Sequence, residues 1–281
     1  MSGADSAQQK ICVEQGVPMV LALVSPASEP LRERLLMTLA LSCAFQGGRV
    51  LVLERGICGA ASIERGVLHA VPDEFAALPG ELRRGAHGVL YADLSNMAPA
   101  DMYVALDLVS GTPARFDMVL LNTHGAEPED LFMASLAQRV VITTSAGDTL
   151  LPRVRAQIER LATQHQQRHF TLAIDDQLPQ ARNFYRQLLC DPALSQVECE
   201  LLEALPAAVA QGEMVLQDFA RTPEALALLN AFRQEALALS PRGGLQLFWR
   251  SLMFCNACSL KLCRSLIDSG KALEVCPVQK F

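Results

Sequence analysis

Short apolar runs alternate with longer amphipathic stretches along most of the chain. The runs predict strands over 17–24, 49–53, 88–91, 116–121, 139–144 and 169–174, and one more apolar stretch ends at 205. The stretches between them place apolar residues at helical spacing and predict helices near 31–45, 98–109, 127–137, 149–164, 179–189 and 222–239. Near-continuous apolar strands are typical of a parallel sheet covered on both faces. The pattern therefore predicts an α/β fold with a doubly wound, mostly parallel sheet flanked by helices.

The pattern changes after a Pro- and Gly-containing break at 240–244. We predict an N-terminal tail over 1–16, an α/β domain over 17–243 and a separate, cysteine-rich C-terminal element over 244–281. Apolar residues at three- and four-residue spacing predict that this element begins with an amphipathic helix. The apolar face of this helix carries Leu245, Phe248, Trp249, Leu252 and Met253.

Composition narrows the class of protein. The chain has 281 residues, of which 51% are hydrophobic and 19% charged, and this balance predicts a folded protein rather than a disordered one. A net charge of −6 argues against direct nucleic-acid binding. The chain contains no run of eighteen apolar residues and no leader-like start, so we expect a cytoplasmic protein.

The cysteine count points to reduced thiols. Nine cysteines, an odd number, do not form the dense disulfide framework of a small secreted domain. Five of them lie in apolar surroundings and are expected to be ordinary buried residues: Cys12, Cys43, Cys58, Cys190 and Cys199.

The junction between the first strand and the first helix is the most informative segment. It reads SPASEPLRER over 25–34, without the glycines and the lysine with which a phosphate loop holds a nucleotide. Pro26 and Pro30 have no backbone N–H to donate. Glu29 and Glu33 add negative charge where a phosphate would approach. The scaffold position is right for a nucleotide, but the required chemistry is missing.

The order of these pieces resembles the MinD/ParA group of deviant-phosphate-loop ATPases, most closely the flagellar-number regulators of the FlhG/FleN type. The resemblance runs from about 17 to 239 and implies a fold like that of the P-loop NTPases. The similar segments are 37–42 with 47–53, 116–123, 140–144 with 148–149, and 181–185.

The resemblance also locates the positions at which this chain departs from the group. Counting back from Thr38 places Ala27 at the signature lysine, Arg32 at the phosphate lysine and Glu33 at the magnesium-binding threonine. Each of the three substitutions removes a function that nucleotide binding needs.

Two further motifs of the group are altered in the same way. Its DAD phrase falls on Glu54, Arg55 and Gly56, so glycine replaces the carboxylate that would position the attacking water. Its DTAAG phrase begins at Asn122, which replaces the aspartate that organises the metal. We expect Arg32, Glu54, Arg55 and Asn122 to be surface or strand-end residues that close an inactive cleft.

The leading hypothesis is therefore a non-catalytic pseudo-ATPase that needs no cofactor and acts through protein contacts. The resemblance implies a role in the number or placement of flagella or another polar organelle. The implied partner is a MinD/ParA-like or flagellar regulatory protein, and a homodimer is the alternative assembly. The C-terminal amphipathic face leaves two uses open, a protein groove and peripheral contact with the inner face of the membrane.

Two other hypotheses stay open. Cys255, Cys258, Cys263 and Cys276 could supply four thiolates to a zinc ion or an iron–sulfur cluster, which would make the chain a redox or sensor protein. A break of the helix near Ser259 would be needed to bring these sulfurs together. The third hypothesis is a degenerate localisation factor, similar to the TadZ-type relatives, that still binds nucleotide.

Overall fold

The computed structural model describes residues 18–26, 29–55, 81–85, 87–95, 116–125, 127–203, 209 and 216–239. Strands and helices alternate along these residues, as the apolar pattern predicts. In chain order the elements are β1 (Met19–Val24), α1 (Glu29–Phe45), β2 (Val50–Arg55), β3 (Glu81–Arg84), β4 (Leu90–Asp93), β5 (Met118–Thr123), α2 (Pro128–Ser135), β6 (Arg139–Thr144), α3 (Leu151–His165), β7 (His169–Ile174), α4 (Leu178–Leu189), a 3₁₀ turn (Pro192–Leu194), β8 (Glu198–Leu201), α5 (Leu216–Phe219) and α6 (Pro223–Leu239).

The described strands form one eight-stranded sheet in the order β3-β4-β2-β5-β1-β6-β7-β8. Neighbouring strands are parallel except β3, which runs antiparallel to β4 at the edge. Strand β1 lies between β5 and β6, and its Leu21 is opposite Leu120 on one side and Arg139 on the other. The predicted doubly wound, mostly parallel sheet is therefore confirmed.

Helices cover both faces of the sheet, which explains why its strands are apolar on both sides. On one face Leu21 and Leu23 pack with apolar residues of α1, α5 and α6. On the other face Val20 and Ala22 pack with apolar residues of α2, α3 and α4. Every residue of β1, β5 and β6 is buried as a result. The two apolar layers fix the carboxyl ends of the central strands at one edge of the molecule.

The chain reverses between α1 and β2 through a glycine turn. Gly47 has a φ of +81°, and the backbone N–H of Gly48 donates to the carbonyl of Cys43 at 3.0 Å. This is the usual way in which glycine ends a helix. The turn brings the start of β2 beside the start of β5, where the backbone N–H of Arg49 donates to the Asp117 carboxylate at 2.7 Å.

Three of the elements that the structure describes were not anticipated from the sequence. Strand β3, with the sequence ELRR, lacks an apolar run because it is a short edge strand. The 3₁₀ turn and α5 are too short to show a helical period. Cys190 is exposed, so its expected burial was wrong, whereas Cys43 and Cys199 are buried free thiols as expected.

Several predicted features lie outside the described residues. These are the helix near 98–109, the tail over 1–16, the C-terminal element over 244–281, and Cys12 and Cys58. Among the helices that the structure describes, none has the length and apolar character needed to span a bilayer.

Candidate functional site

The candidate site lies at the carboxyl ends of the central strands β1, β2 and β5. In open α/β sheets ligands bind in the crevice outside these strand ends, close to the point where the strand order changes direction. Here the change of direction falls beside β1, because the chain reaches β2 on one side of β1 and β6 on the other. Helix α1 starts at this edge, so residues of its first turns face the strand ends.

Arg32, in the first turns of α1, is buried completely, with 0% of its surface exposed. Its Nη1 donates to the backbone carbonyl of Thr123 at 3.3 Å and lies 3.3 Å from Nδ1 of His124. A guanidinium can only donate hydrogen bonds, so Nδ1 of His124 is the acceptor in this contact. The arginine is therefore directed at the end of β5 rather than at solvent.

Glu54 and Asn122 form a second contact at the same strand ends. They are opposite each other in the β2–β5 register, and Asn122 Nδ2 donates to Glu54 Oε1 at 3.1 Å. Their exposed fractions are 4% for Glu54 and 0% for Asn122. No hydrogen-bond partner for Asn122 Oδ1 is found among the residues that the structure describes.

Burial raises the pKa of Glu54 to about 6. The hydrogen bond from Asn122 opposes this shift because it favours the charged carboxylate. The carboxylates of Asp93 and Glu33 raise the pKa further, and the Arg32 guanidinium lowers it. Arg32, Glu54 and Asn122 therefore lie together at the floor of the crevice, and the charge of Glu33 acts on Glu54 from the rim.

Arg55 lies on the opposite face of the sheet from Arg32 and forms ion pairs with α2. Its Nη1 lies 2.7 Å from Asp130 Oδ1, and its Nη2 lies 3.8 Å from Glu129 Oε2. Asp130 is also part of a capping box with Glu127 at the start of α2. The chain between β5 and α2 is thus held by Arg32 on one face of the sheet and by Arg55 on the other.

Gly125 lies in the junction between β5 and α2, and this position requires glycine. Gly125 has a φ of +70°, its N–H donates to Thr123 Oγ1 at 3.3 Å, and its carbonyl accepts from Gln157 Nε2 at 3.1 Å. A Cβ at this position would lie 2.1 Å from Gln157 Nε2 and 2.2 Å from Val24 Cγ1. Both the backbone angle and the space therefore require glycine.

The rim of the crevice is acidic. Carboxylates follow the ends of four parallel strands and also lie on the first turns of α1 and α2. Arg34 and Arg55 already pair with Asp175 and Asp130. The partly or fully exposed carboxylates at this edge are Glu33, Asp93, Glu127, Glu129, Asp148, Asp175 and Asp176. The resulting negative potential disfavours a polyanion in the crevice.

The structure thus brings together four of the six positions that the sequence singled out as a vestigial nucleotide site, namely Arg32, Glu33, Glu54 and Asn122. The sequence predicted surface or strand-end positions for these residues. Glu54 and Asn122 lie at strand ends, Arg32 lies in α1 against the end of β5, and all three are buried rather than at the surface. Ala27 and Gly56, the remaining two, lie outside the described residues.

Two sets of predicted residues also lie outside the described part of the chain. One is the cysteine set Cys255, Cys258, Cys263 and Cys276, so a zinc or iron–sulfur site stays a prediction. The other is the apolar face that begins at Leu245.

Sequence reasoning missed the Arg55–Asp130 pair and the contact of Gln157 with Gly125. The sequence predicts a strand-end position for Arg55. Its partner Asp130 lies 75 positions further along the chain, so no local pattern connects the two residues. Gln157 is a polar residue on the buried side of α3, and this is the one signal that could have marked it.

Comparison with known proteins identifies the fold. No protein-family model and no curated protein matches the sequence. Among solved structures, the MinD cell division protein of Aquifex aeolicus is 14% identical, with a TM-score of 0.56 over 77% of this chain and 95% of that one. The MinC:MinD cell division protein complex of the same organism matches with a TM-score of 0.55, at 14% identity and the same two coverages.

A ParA family ATPase from Chlorobium tepidum is 10% identical, with a TM-score of 0.52 over 79% of this chain and 98% of that one. At these identities the likeness concerns the fold. The chain therefore has the α/β fold of these MinD and ParA proteins.

Proposed function

From this MinD/ParA-like fold we propose that the chain is a regulatory protein that works through protein contacts and does not hydrolyse ATP. One observation carries the proposal: the arginine at the phosphate-lysine position is buried and donates to the chain's own backbone. Arg32 is 0% exposed, and its Nη1 is bonded to Thr123 O and to His124. A fully buried side chain with these contacts would have to rearrange before it could meet a phosphate.

The other residues of the crevice also support the proposal that the chain does not hydrolyse ATP. Phosphoryl transfer depends on positioning and on neutralising the charge of the transferred group. Glu33 stands at the position of the magnesium-binding hydroxyl, and Asn122 stands at that of the metal-organising aspartate. Asn122 is fully buried and donates a hydrogen bond to Glu54. The acidic rim adds repulsion toward a triphosphate.

A protein partner is the natural ligand for such a surface. The MinC:MinD complex shows that a protein of this fold pairs with another protein. We propose that this chain likewise binds a protein, a MinD/ParA-like or flagellar regulator, through the strand-end surface and the C-terminal element over 244–281. The finer role is control of the number or placement of flagella or another polar organelle, at the cytoplasmic side of the membrane. No cofactor is part of the proposal.

Calorimetry with Mg-ATP and Mg-ADP tests the absence of nucleotide chemistry. We expect no binding in the micromolar range for the full chain, and none for Arg32→Lys, which returns the lysine side chain to this position. Micromolar binding of either nucleotide by the unmodified chain would overturn the proposal and favour the degenerate nucleotide-binding localisation factor.

Genetics tests the regulatory role separately. Deletion of the gene is expected to change the number or position of flagella or another polar organelle, and the unmodified chain is expected to restore it. Asp93→Arg with Asp176→Arg reverses charge at two exposed rim positions and is expected to fail in this complementation. Arg153→Glu reverses an exposed charge outside the rim cluster and is the matched control. Normal organelles in the deletion strain would contradict the finer role.

A further inference from the structure

The Glu54–Asn122 contact has one unmatched atom. Asn122 donates through Nδ2 to Glu54 Oε1 at 3.1 Å, but Asn122 Oδ1 is buried and has no hydrogen-bond donor within the described part of the chain. A buried amide oxygen without a donor is costly, because it has lost water and gained nothing in exchange. The ionised carboxylate beside it cannot help, since it only accepts hydrogen bonds.

A protonated carboxyl group would remove this mismatch. It has one O–H to donate and one carbonyl oxygen to accept. A carboxylic acid and a primary amide can therefore form a ring of two hydrogen bonds, N–H to carboxyl oxygen and O–H to amide oxygen. The side chains already face each other across neighbouring strands in register, so the ring needs only a proton and a small rotation of the carboxyl group.

The charged groups around the pair also favour the neutral acid. Asp93 faces Glu54 from β4, where the two residues are opposite each other, and Glu33 faces it from α1. Arg32, also on α1, is the cation that acts on Glu54 in the opposite sense. Two carboxylates thus oppose one guanidinium, and the 4% exposure of Glu54 leaves little water to solvate a negative charge.

We propose that Glu54 and Asn122 form a proton-binding pair at the floor of the crevice, closed by two hydrogen bonds when Glu54 is protonated and held by one when it is ionised. Proton binding fastens β2 to β5 one residue before Thr123, the residue whose carbonyl Arg32 contacts. The pair therefore links the acidity of the solution to the junction between β5 and α2. This inference goes beyond the proposed function and does not depend on which ligand the rim binds.

Nuclear magnetic resonance on the full chain tests the pair directly. The carboxyl carbon of Glu54 and the side-chain amide of Asn122, assigned by sequence, are followed between pH 3.5 and pH 8. We expect both to move with a single midpoint near 6, the pKa of Glu54. A Glu54 midpoint at or below its ordinary value of 4.5, or an Asn122 amide that does not move with Glu54, would overturn the proposal.

Two variants make the assignment of the proton unambiguous. Glu54→Gln keeps the two-bond ring without a titrating group, so its Asn122 amide is expected to stay at the low-pH position throughout the range. Asp93→Asn removes a neighbouring negative charge that raises the pKa of Glu54. The Glu54 and Asn122 signals of this variant are therefore expected to titrate together still, but with a lower midpoint. Loss of the Asn122 transition in Asp93→Asn would assign the proton to Asp93 and overturn the proposal. The titration of the unmodified chain decides the question even if a variant does not fold.

Discussion

Arg55 and Asp130 join the end of β2 to the first turn of α2 through an ion pair of 2.7 Å. The Asp130 side chain is 5% exposed and that of Arg55 is 18% exposed. Both charges have therefore lost most of their water, and each depends on the other for compensation. Because α2 follows β5 directly, this pair also fixes the position of the strand-end junction.

Removal of one partner should leave the other charge buried and uncompensated. We expect Arg55→Ala to lower the free energy of unfolding by about 3 kcal/mol. The matched control is Arg182→Ala, because Arg182 pairs with Glu203 on the surface, with side chains 46% and 57% exposed. This control should cost about 0–1 kcal/mol. Urea denaturation measures both, and equal losses in the two variants would contradict the argument.

Arg32 should matter for stability and not for nucleotide affinity. Arg32→Met removes the donor to Thr123 O and leaves this carbonyl and the Glu54 carboxylate without their cation. We expect a loss of about 2–3 kcal/mol in the free energy of unfolding. Calorimetry with Mg-ATP should give the same absence of binding before and after the change. A variant as stable as the parent chain would show that the buried contacts of Arg32 are not stabilising.

The raised pKa of Glu54 should make the free energy of unfolding depend on pH between 4.5 and about 6. Its folded pKa of about 6 lies above its ordinary value of 4.5, so the folded state binds the proton more tightly than the unfolded chain. The stabilisation is fully present below 4.5 and is lost as the pH rises through about 6. The shift corresponds to about 2 kcal/mol.

Comparison with Glu54→Gln isolates this effect from the other titrating groups. The free energy of unfolding of Glu54→Gln relative to the parent chain should increase by about 2 kcal/mol between pH 4 and pH 7. Denaturant titrations at a series of pH values measure the difference. A difference that stays constant with pH, or one that decreases, would show that Glu54 has no raised pKa.

Substitutions of Gly125 and Gly47 distinguish the free-energy cost of a positive φ from the cost of a steric clash. Both have positive φ, but a Cβ at Gly47 meets nothing within 4 Å, whereas one at Gly125 meets Gln157 and Val24 at 2.1 and 2.2 Å. Gly47→Ala should therefore cost about 1 kcal/mol. Gly125→Ala should cost about 2 kcal/mol more, because the neighbouring side chains must shift. Thermal unfolding measures both, and similar losses would mean that the junction adapts freely.

The fold could be predicted because its signal is local. Strands β6 and β7 fall on the residues that the apolar runs predicted, 139–144 and 169–174, since each buried strand shows its burial in its own sequence. Strand β3 shows no such signal: it is charged and short, and among the described strands it pairs with β4 alone. Its place depends on β4, and its own pattern does not reveal that partner.

The site was harder to predict than the fold. Its positions could be found by order and spacing, but their burial could not, because an arginine near the start of a helix normally faces solvent. Arg32 is buried because Thr123, 91 positions later, offers it a carbonyl. Asn122 in turn meets Glu54 across a separation of 68 positions. Such pairings depend on the folded sheet and leave no trace in the local sequence.

The central position of β1 also constrains how the protein is made. Its two neighbours begin at Met118 and Arg139, so during synthesis the first strand leaves the ribosome long before either partner exists. Its six buried residues must then remain unpaired, or be shielded by chaperones, until the chain has been translated beyond Thr144. Products that stop earlier are expected to aggregate or to be degraded.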